Sequence, residues 1–336
     1  MSNQEAITIV LPVYGRSELL EPALASVLAL EEVEGSPWRL LIADDGSEAS
    51  TQQFLQGWVE RQGGERVEWR RRPQNLGLFA NLNQAINEAT TEWVLLLCSD
   101  DLLLPTALTR LSELWQQWPE AGLILSSFHS INADGSPRPA DSAWHHDQLS
   151  RNTALIPPER FVPALLQLGS LNGNLTGMAF SRQLWQQAGP FRADWRHAAD
   201  WEWLLRASEC GPALLNREPI AKVRTHAAQL SNSNRRSGHE LQEVAEVVRQ
   251  LRHHPLLAHE PRRHRWAAHV MQFQLWNVLK ASTRANRPSQ RESLRAIHHS
   301  AGVINTIAAL ARWLPERWEH RHRQGRKGPA SPRQAR

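Results

Sequence analysis

Two adjacent carboxylates, Asp100 and Asp101, end an apolar run that begins at Val94. A short, continuous apolar run of this kind predicts a strand that is buried on both faces, as strands of parallel sheets are. Ligands of open α/β sheets bind beyond the carboxyl ends of the strands, so we expect both acids to face a crevice. Mg²⁺ or Mn²⁺, which prefer oxygen ligands, would offset the repulsion between the two carboxylates. The residues also fit a second interpretation, in which the pair caps a helix that begins near Pro105.

The same pattern occurs earlier in the chain. The β-like run from Trp38 ends on Asp44 and Asp45, and a turn of Gly and Ser follows. A third run, from Ile7, ends instead near Tyr14, the only tyrosine of the chain. An aromatic ring at that place can stack on a nucleobase. Three predicted strands therefore end on groups that are suited to a ligand.

Helical patterns separate these runs, which gives the order βαβαβ. Apolar residues recur at helical spacing between residues 19 and 28 and again between residues 79 and 86. This alternation predicts an α/β fold with a mainly parallel sheet that is flanked by helices. The Gly-x-Gly-x-x-Gly signature of dinucleotide-binding folds and the Walker phosphate loop are both missing, which argues against NAD-dependent and ATP-hydrolysing functions.

Taken in order, the motifs of the chain resemble those of glycosyltransferase family 2, the inverting nucleotide-diphospho-sugar transferases with the Rossmann-like GT-A fold. The likeness covers about residues 5–230. Its first half consists of Val10–Arg16, Ala43–Ser47, Asn75–Gly77 with Asn83, and Ser99–Asp101. Its second half consists of Thr176–Arg182, Ala188–Phe191, Ala199–Arg206 and Val223–His226. Each motif is weakly specific by itself, and the ordered set carries the resemblance.

The resemblance implies a catalytic base and a metal site. Asp200 matches the family's base, which takes the proton of the acceptor hydroxyl, and a positioned carboxylate in this role contributes about 10² to 10⁴ in rate. From the residues alone, Asp200 also fits a helix cap. Asp101 matches the acid that touches Mg²⁺ or Mn²⁺, and His226 matches a histidine close to the diphosphate or the metal.

The resemblance also implies a site for a nucleotide-sugar donor. Asp45 matches the acid that hydrogen-bonds a uracil-type base, with Tyr14 beside it as a stacking surface, and Asp100 matches the family acid that faces the ribose or the metal. The donor-binding residues that follow from the matched motifs are Pro12, Tyr14, Arg16, Asp45, Asn75, Gly77, Asn83 and Asp100.

The implied reaction is a single displacement with inversion on a UDP- or dTDP-sugar, in the assembly of a cell-surface polysaccharide or other glycan. The resemblance implies a glycan or a lipid-linked group as the acceptor, and we expect residues 134–158, a polar stretch that contains Trp144, to contact it. Ala199 departs from the Glu or Gly that many members carry before the base. The Gln-x-x-Arg-Trp signature of processive synthases is absent, which favours the transfer of one sugar per encounter.

The chain has 336 residues, enough for a catalytic domain and an extension. We assign residues 1–235 to the catalytic domain, 236–322 to a helical C-terminal extension and 323–336 to a disordered basic tail. From residue 240 onward there are 18 Lys and Arg against 7 Asp and Glu, although the net charge of the whole chain is only +4. We expect neither a signal peptide nor a membrane span, and the two cysteines suit a reducing compartment, so a cytoplasmic location is expected.

The C-terminal extension leaves alternatives open. The apolar segment 301–314 precedes several basic residues and fits a peripheral contact with the inner face of a membrane. It also fits a helix that packs on the catalytic domain or on a second subunit. The alternative function is a catalytically inactive GT-A-like protein that binds a membrane or polyanion through its basic tail. We expect no nucleic-acid partner, because RNA-binding and helix-turn-helix motifs are not evident.

Overall fold

The computed structural model describes residues 7–326 except 16, 35–36, 63, 139–143, 173, 227–238 and 282–286. The chain divides into two compact units, Met1–Glu243 and Val244–Arg336. The first unit contains a mixed β-sheet and helices, and the second unit is helical.

A central sheet organises the described part of the first unit. Its strands are β1 (Ile7–Val13), β2 (Trp38–Asp44), β3 (Val67–Arg71), β4 (Trp93–Leu96), β5 (Leu102–Leu103), β6 (Leu123–Asn132), β7 (Ala154–Ile156), β8 (Met178–Ser181) and β9 (Ala213–Thr225). Their spatial order is β3-β2-β1-β4-β8-β6-β9-β5, and β7 also pairs with β9. Strands β1 to β4 are mutually parallel, whereas β8 lies antiparallel between β4 and β6. The predicted α/β fold with a sheet flanked by helices is confirmed, but the sheet is mixed, because four of the eight strand pairings described are parallel and four are antiparallel.

Eight helices of this unit are described around the sheet. They are α1 (Ser17–Leu28), α2 (Ala49–Gln62), α3 (Leu78–Glu88), α4 (Ala107–Gln117), α5 (Trp144–Leu149), α6 (Pro158–Leu168), α7 (Arg182–Ala188) and α8 (Ala199–Cys210). Helix α4 has Thr106 as its N-cap, and β5 separates that residue from the acid pair. Asp100 and Asp101 therefore do not cap α4, which removes the capping interpretation.

Burial explains why the predicted strands form. All seven residues of β1 and all four of β4 are buried, as expected for strands that are covered on both faces. Helix α8 is fastened beside β8 by Trp203, whose ring centroid lies 5.1 Å from that of Phe180 and 5.4 Å from that of Phe191. The Trp203 indole also donates a 2.8 Å hydrogen bond to the Gly189 carbonyl. This packing holds the helix that carries Asp200.

Helices make up the C-terminal part of the chain, as predicted. Helix α9 (His239–His253) crosses the boundary between the units and is followed by a short 3₁₀ helix, α10 (Arg263–Ala281), α11 (Arg287–Ala301) and α12 (Val303–Arg326). Gly302, with φ of 78°, separates α11 from α12, so the predicted apolar segment 301–314 is not one continuous helix.

Among the described helices, none combines the length and apolarity that a membrane span requires. Residues 327–336, most of the predicted disordered tail, lie outside the described residues.

Candidate functional site

The candidate site lies where β1, β2 and β4 end. Strand β1 lies between the other two and runs parallel to both, so the segments that follow the three strands meet at one edge of the sheet. A hydrogen bond of 2.8 Å from the Asp45 amide to the Val13 carbonyl joins two of these segments. The third segment begins with Cys98 and ends with Asp100 and Asp101.

Asp44 stabilises the turn after β2. Its Oδ1 accepts a 2.9 Å hydrogen bond from the Ser47 amide, and Ser47 Oγ in turn accepts one of 3.2 Å from the amide of Gly15. Between them, Gly46 has φ of 69°, and a Cβ added there would lie 2.7 Å from the backbone carbon of Gln74. The turn therefore requires glycine. Within the described residues, the buried Oδ2 of Asp44 has no hydrogen-bond partner.

Asp45 joins the turn after β2 to the loop of residues 75–77. Its Oδ1 accepts a hydrogen bond of 2.7 Å from the Leu76 amide, and its Oδ2 accepts one of 2.9 Å from the Gly77 amide. Burial raises the pKa of Asp45, although these two amides act in the opposite direction. Each carboxylate oxygen has a second lone pair. Asp45 thus holds the loop 75–77 in place and retains acceptor capacity for a ligand.

The other residues predicted to bind the donor lie in different environments. Tyr14 is 61% exposed, so the face of its ring is accessible, and Asn75 is also exposed. Pro12 is buried in β1 and is paired with Ala43. Asn83 uses both polar atoms of its side chain on the backbone N–H and C=O of Phe191, each at 2.9 Å. Arg16 lies outside the described residues.

Asp101 is the most deeply buried acid of the pair, with only 1% of its surface exposed. Its Oδ2 accepts hydrogen bonds from Thr176 Oγ1 at 2.6 Å and from Asn174 Nδ2 at 3.1 Å. Its Oδ1 accepts one of 2.7 Å from the Arg224 amide. Burial raises the pKa of Asp101 to about 7, and the neighbouring Asp100 adds to the shift. The side chain therefore joins the end of β4, the segment before β8 and the end of β9.

Asp100 is paired with His226. The distance from Asp100 Oδ2 to His226 Nε2 is 2.8 Å, and the two side chains are 20% and 10% exposed. One ligand atom from each of Cys98, Asp100 and Asp101 lies within 4.8 Å of the others. Carboxylate oxygens and an imidazole nitrogen are suitable ligands for Mg²⁺ or Mn²⁺, so the residues present fit the predicted metal site.

Asp200 lies in the first turn of α8 and not at its N-cap, which is Ala198. Its Oδ2 accepts a hydrogen bond of 2.9 Å from Asn172 Nδ2 and a longer one of 3.4 Å from Ser170 Oγ. Burial raises the pKa of Asp200, while the bond from Asn172, the amide of Trp201 and the nearby His197 lower it. The carboxylate is thus held on one oxygen by neutral side-chain donors.

Residues of the segment 170–176, which is described except for residue 173, contact both acidic centres, and the sequence motifs did not assign the segment a role. Asn172 donates to Asp200, whereas Asn174 and Thr176 donate to Asp101. Thr176 also accepts a hydrogen bond of 2.9 Å from the amide of Cys98. The clustering of Asn172, Asn174 and Thr176 among apolar neighbours was the signal in the sequence that could have indicated this role.

The chain is similar to known proteins in sequence and in structure. A family model described as glycosyl transferase family 2 matches residues 8–180. No curated protein matches the sequence. Among solved structures, residues 1–349 of S. aureus TarS are similar with a TM-score of 0.63 at 14% identity, over 90% of this chain and 83% of that chain.

Two ligand complexes are also similar in structure. S. aureus TarS 1–349 in complex with UDP-GlcNAc has a TM-score of 0.64 at 14% identity, over 88% of this chain and 81% of that one. The mannosyltransferase PcManGT from Pyrobaculum calidifontis, in complex with GDP-Man and Mn²⁺, has a TM-score of 0.52 at 16% identity, over 91% and 86% of the two chains. At these identities the likeness shows a shared fold.

His146 contacts the segment 170–176 and makes the stability of the folded protein dependent on pH. His146 is buried, with Nδ1 3.2 Å from Ser127 Oγ and Nε2 2.8 Å from the Leu171 carbonyl. Burial lowers the pKa of His146 to about 4, from its usual 6.5. The folded protein therefore keeps this imidazole neutral at pH values where the unfolded chain protonates it.

We predict that His146 contributes to acid sensitivity between pH 6.5 and about 4. Its contribution to stability is complete above pH 6.5 and falls as the pH drops through that window, by about 3 kcal/mol in total. Urea unfolding of the wild type and of His146→Gln at several pH values measures this, with His129→Gln, at an exposed position on β6, as the control. Parallel pH dependence in the wild type and His146→Gln would contradict the prediction.

Proposed function

This chain belongs to glycosyltransferase family 2, and from that premise we propose that it transfers a sugar from a nucleotide-diphosphate sugar to a hydroxyl group of a glycan or lipid-linked acceptor. We propose further that the reaction inverts the anomeric centre in one displacement. The acceptor oxygen forms the new bond to the anomeric carbon, the bond from that carbon to the diphosphate breaks, and the hydroxyl proton passes to Asp200.

The observation that best supports this proposal is the joint anchoring of the two acidic centres. One segment, residues 170–176, hydrogen-bonds both Asp101 and Asp200. A transferase needs a base and a leaving-group site at a fixed separation, because the acceptor must approach the anomeric carbon opposite the diphosphate. A short segment that holds both centres supplies that constraint.

Asp200 suits the role of the base. A sugar hydroxyl is a poor nucleophile at neutral pH, so its proton must be taken up as the new bond forms. The raised pKa of Asp200, caused by burial, makes the carboxylate a stronger base than an exposed aspartate. The hydrogen bonds from Asn172 and Ser170 are made to Oδ2, and the second lone pair of Oδ1 is proposed to accept the proton of the acceptor hydroxyl.

The nucleotide is proposed to lie over the ends of β1 and β2. The exposed ring of Tyr14 supports stacking on the base, and the second lone pairs of Asp45 support a hydrogen bond from a uracil- or thymine-type N–H. We therefore propose UDP- or dTDP-sugars as donors. The solved relative TarS is bound to UDP-GlcNAc, which favours UDP, whereas PcManGT is bound to GDP-Man and makes GDP the nucleotide to compare.

For the metal site we propose Asp100 and His226 as ligands of Mg²⁺ or Mn²⁺. The sequence prediction named Asp101 with His226, but Asp101 already accepts three hydrogen bonds, two on Oδ2 and one on Oδ1, which leave it fewer lone pairs for an ion than Asp100 has. Asp100 is the more exposed of the two acids and already lies 2.8 Å from His226. The ion, when bound, supplies a Lewis acid that stabilises the charge of the leaving diphosphate. A contribution of Asp101 to metal binding stays a prediction.

The acceptor and cellular context are proposals as well. We propose that the protein acts in glycan assembly at the cytoplasmic side of a membrane. Helix α12 supports a contact with a membrane surface, because it has an exposed apolar face. Ile304 and Ile307 are 83% and 52% exposed, and the exposed residues Ala308 and Ala311 continue the same face. Basic residues follow in the sequence, at positions 312, 317, 321, 323, 326 and 327.

An inactive binding protein is not favoured, because the acids predicted for catalysis occupy one organised site.

We predict that Asp200→Asn lowers kcat by about 10² to 10⁴ while nucleotide binding is retained, because only proton removal is lost. In the wild type, the acidic limb of the kcat profile should fall above the range of an ordinary aspartate, since activity is lost as pH drops through the raised pKa of Asp200. Transfer from UDP- and dTDP-sugars to a membrane glycolipid fraction measures both. Asp194→Asn, an exposed acid ahead of α8, is the control, and an active Asp200→Asn would exclude this base.

We predict that Asp100→Asn and His226→Gln each weaken Mn²⁺ binding by about tenfold or more. Electron paramagnetic resonance of Mn²⁺ reports ion binding directly, and calorimetry of UDP, dTDP and GDP with and without Mn²⁺ reports its coupling to the nucleotide. Asp134→Asn, an exposed acid in a turn, should leave both unchanged. If Asp101→Asn abolishes Mn²⁺ binding while Asp100→Asn does not, the ligand is Asp101, as the sequence predicted.

We predict that the full chain sediments with vesicles containing anionic phospholipid and not with purely zwitterionic vesicles, and that added salt reverses the binding. The double substitution Ile304→Ser and Ile307→Ser should weaken binding by about tenfold or more, because two apolar side chains no longer enter the interface. Leu256→Ser, at another exposed apolar position, is the control. Equal sedimentation with and without anionic lipid would exclude the proposed contact.

A further inference from the structure

Helix α8 carries the proposed base but begins without a cap of its own. The first amides of a helix have no partner within the helix and need an acceptor from elsewhere. The N-cap residue is Ala198, which has no side-chain oxygen, and the helix has no side-chain cap hydrogen bond from that position. The amide of Ala198 therefore needs an acceptor from another part of the chain.

Glu243, in helix α9, supplies that group. Its Oε1 accepts a hydrogen bond of 2.8 Å from the Arg196 amide, and its Oε2 accepts bonds of 2.7 and 2.8 Å from the amides of His197 and Ala198. Three consecutive N–H groups thus converge on one buried carboxylate, an arrangement that backbone amides offer to anions. Bonds from amides to an ionised carboxylate are about twice as strong as neutral ones.

A second acid from the same turn of α9 contacts the same segment. Glu240 Oε1 lies 3.8 Å from His197 Nε2, and Glu240 is buried. Both acids lie in the first unit of the chain, which ends at Glu243. The start of α9 is therefore fastened to residues 196–198 through two carboxylates. The 1–235 boundary predicted for the catalytic domain would remove both.

Asp200 follows this clamped segment by two residues. Its carboxylate is held on one side by Asn172, and on the other by the amides of its own helical turn. The position of those amides depends on where the N-terminus of α8 lies. Because a displacement of about 1 Å in a reacting group can cost about 10² in rate, anchoring this terminus has direct consequences for proton transfer.

We propose that Glu243 is a positioning residue for Asp200, and that the catalytic unit accordingly extends through the first turn of α9. This inference rests on the proposed role of Asp200 as the base. Glu243 does not touch substrate in this proposal; it fixes the segment 196–198 and, through it, the first turn of α8.

The test compares Glu243→Gln and Glu243→Ala with Glu246→Gln in the full-length protein. Glu246 lies on the same helix, and its carboxylate bonds Arg249 and Gln250 rather than the segment 196–198. We expect kcat to fall by about tenfold or more in Glu243→Ala and by less in Glu243→Gln, whose amide keeps one acceptor oxygen. The KM of the donor and the affinity for UDP with Mn²⁺ should stay within about twofold, because the nucleotide site is not touched.

A second readout does not depend on turnover. In protein labelled with ¹³C-aspartate, the carboxyl signal of Asp200, assigned by its loss in Asp200→Asn, reports its titration. The groups that face it are His197, Asn172 and Ser170. We expect the apparent pKa to rise in Glu243→Gln, since the amides of the first turn are less well directed at the carboxylate, and to be unchanged in Glu246→Gln.

The outcomes separate this inference from the proposed function. If the wild type transfers no sugar, the proposed function fails, and the titration of Asp200 still tests the coupling to Glu243. If the wild type is active and Glu243→Ala keeps both its kcat and the Asp200 titration, the inference is wrong. A lower melting temperature with equal losses in kcat and nucleotide affinity would also overturn it, because that pattern indicates general destabilisation.

Discussion

The site depends on buried carboxylates that accept hydrogen bonds from distant parts of the chain. Asp101 shows the constraint most clearly: moving an ionised group out of water costs several kcal/mol unless donors replace the water. Thr176, Asn174 and the Arg224 amide provide those donors. Each comes from a different stretch of sequence than β4, so satisfying one buried acid fixes the relative positions of three segments.

The same principle explains how Asp101 and the proposed base Asp200 are brought to neighbouring donors although they are far apart in the sequence. Strand β8 lies antiparallel beside β4, and the segment that leads into it passes both acids. Its alternating polar residues divide between them, with Asn172 directed at Asp200 and Asn174 at Asp101. His146 Nε2 lies 2.8 Å from the carbonyl of Leu171, in the same segment. Both acids are thus hydrogen-bonded by residues that lie close together in the sequence.

Much of the fold could be predicted, because β1, β2 and β4 are each visible in the sequence as a local apolar run. The two pairs of acids follow the runs of β2 and β4 closely in the sequence. The partners of those acids could not be predicted in this way. The three amides that bind Glu243 lie 45 to 47 residues from it, and no local pattern links them. Likewise, the sequence predicted one apolar segment over residues 301–314, but Gly302, with its positive φ, divides that segment between α11 and α12. Ala301, the last residue of α11, is buried, whereas Ile304 in α12 is exposed.

The hydrogen-bond donors to the buried acids are uncharged, so the site keeps its negative charge when a nucleotide diphosphate approaches. The hydrogen bonds described for the side chains of Asp45, Asp101 and Asp200 come from backbone amides, carboxamides and hydroxyl groups, none of which cancels a full negative charge. A nucleotide diphosphate is itself an anion, and bringing it beside Asp100 and Asp101 would be opposed by repulsion between like charges. A divalent cation held by Asp100 and His226 would offset both charges at once. Metal dependence should therefore appear already in nucleotide binding, before any bond to the sugar is broken.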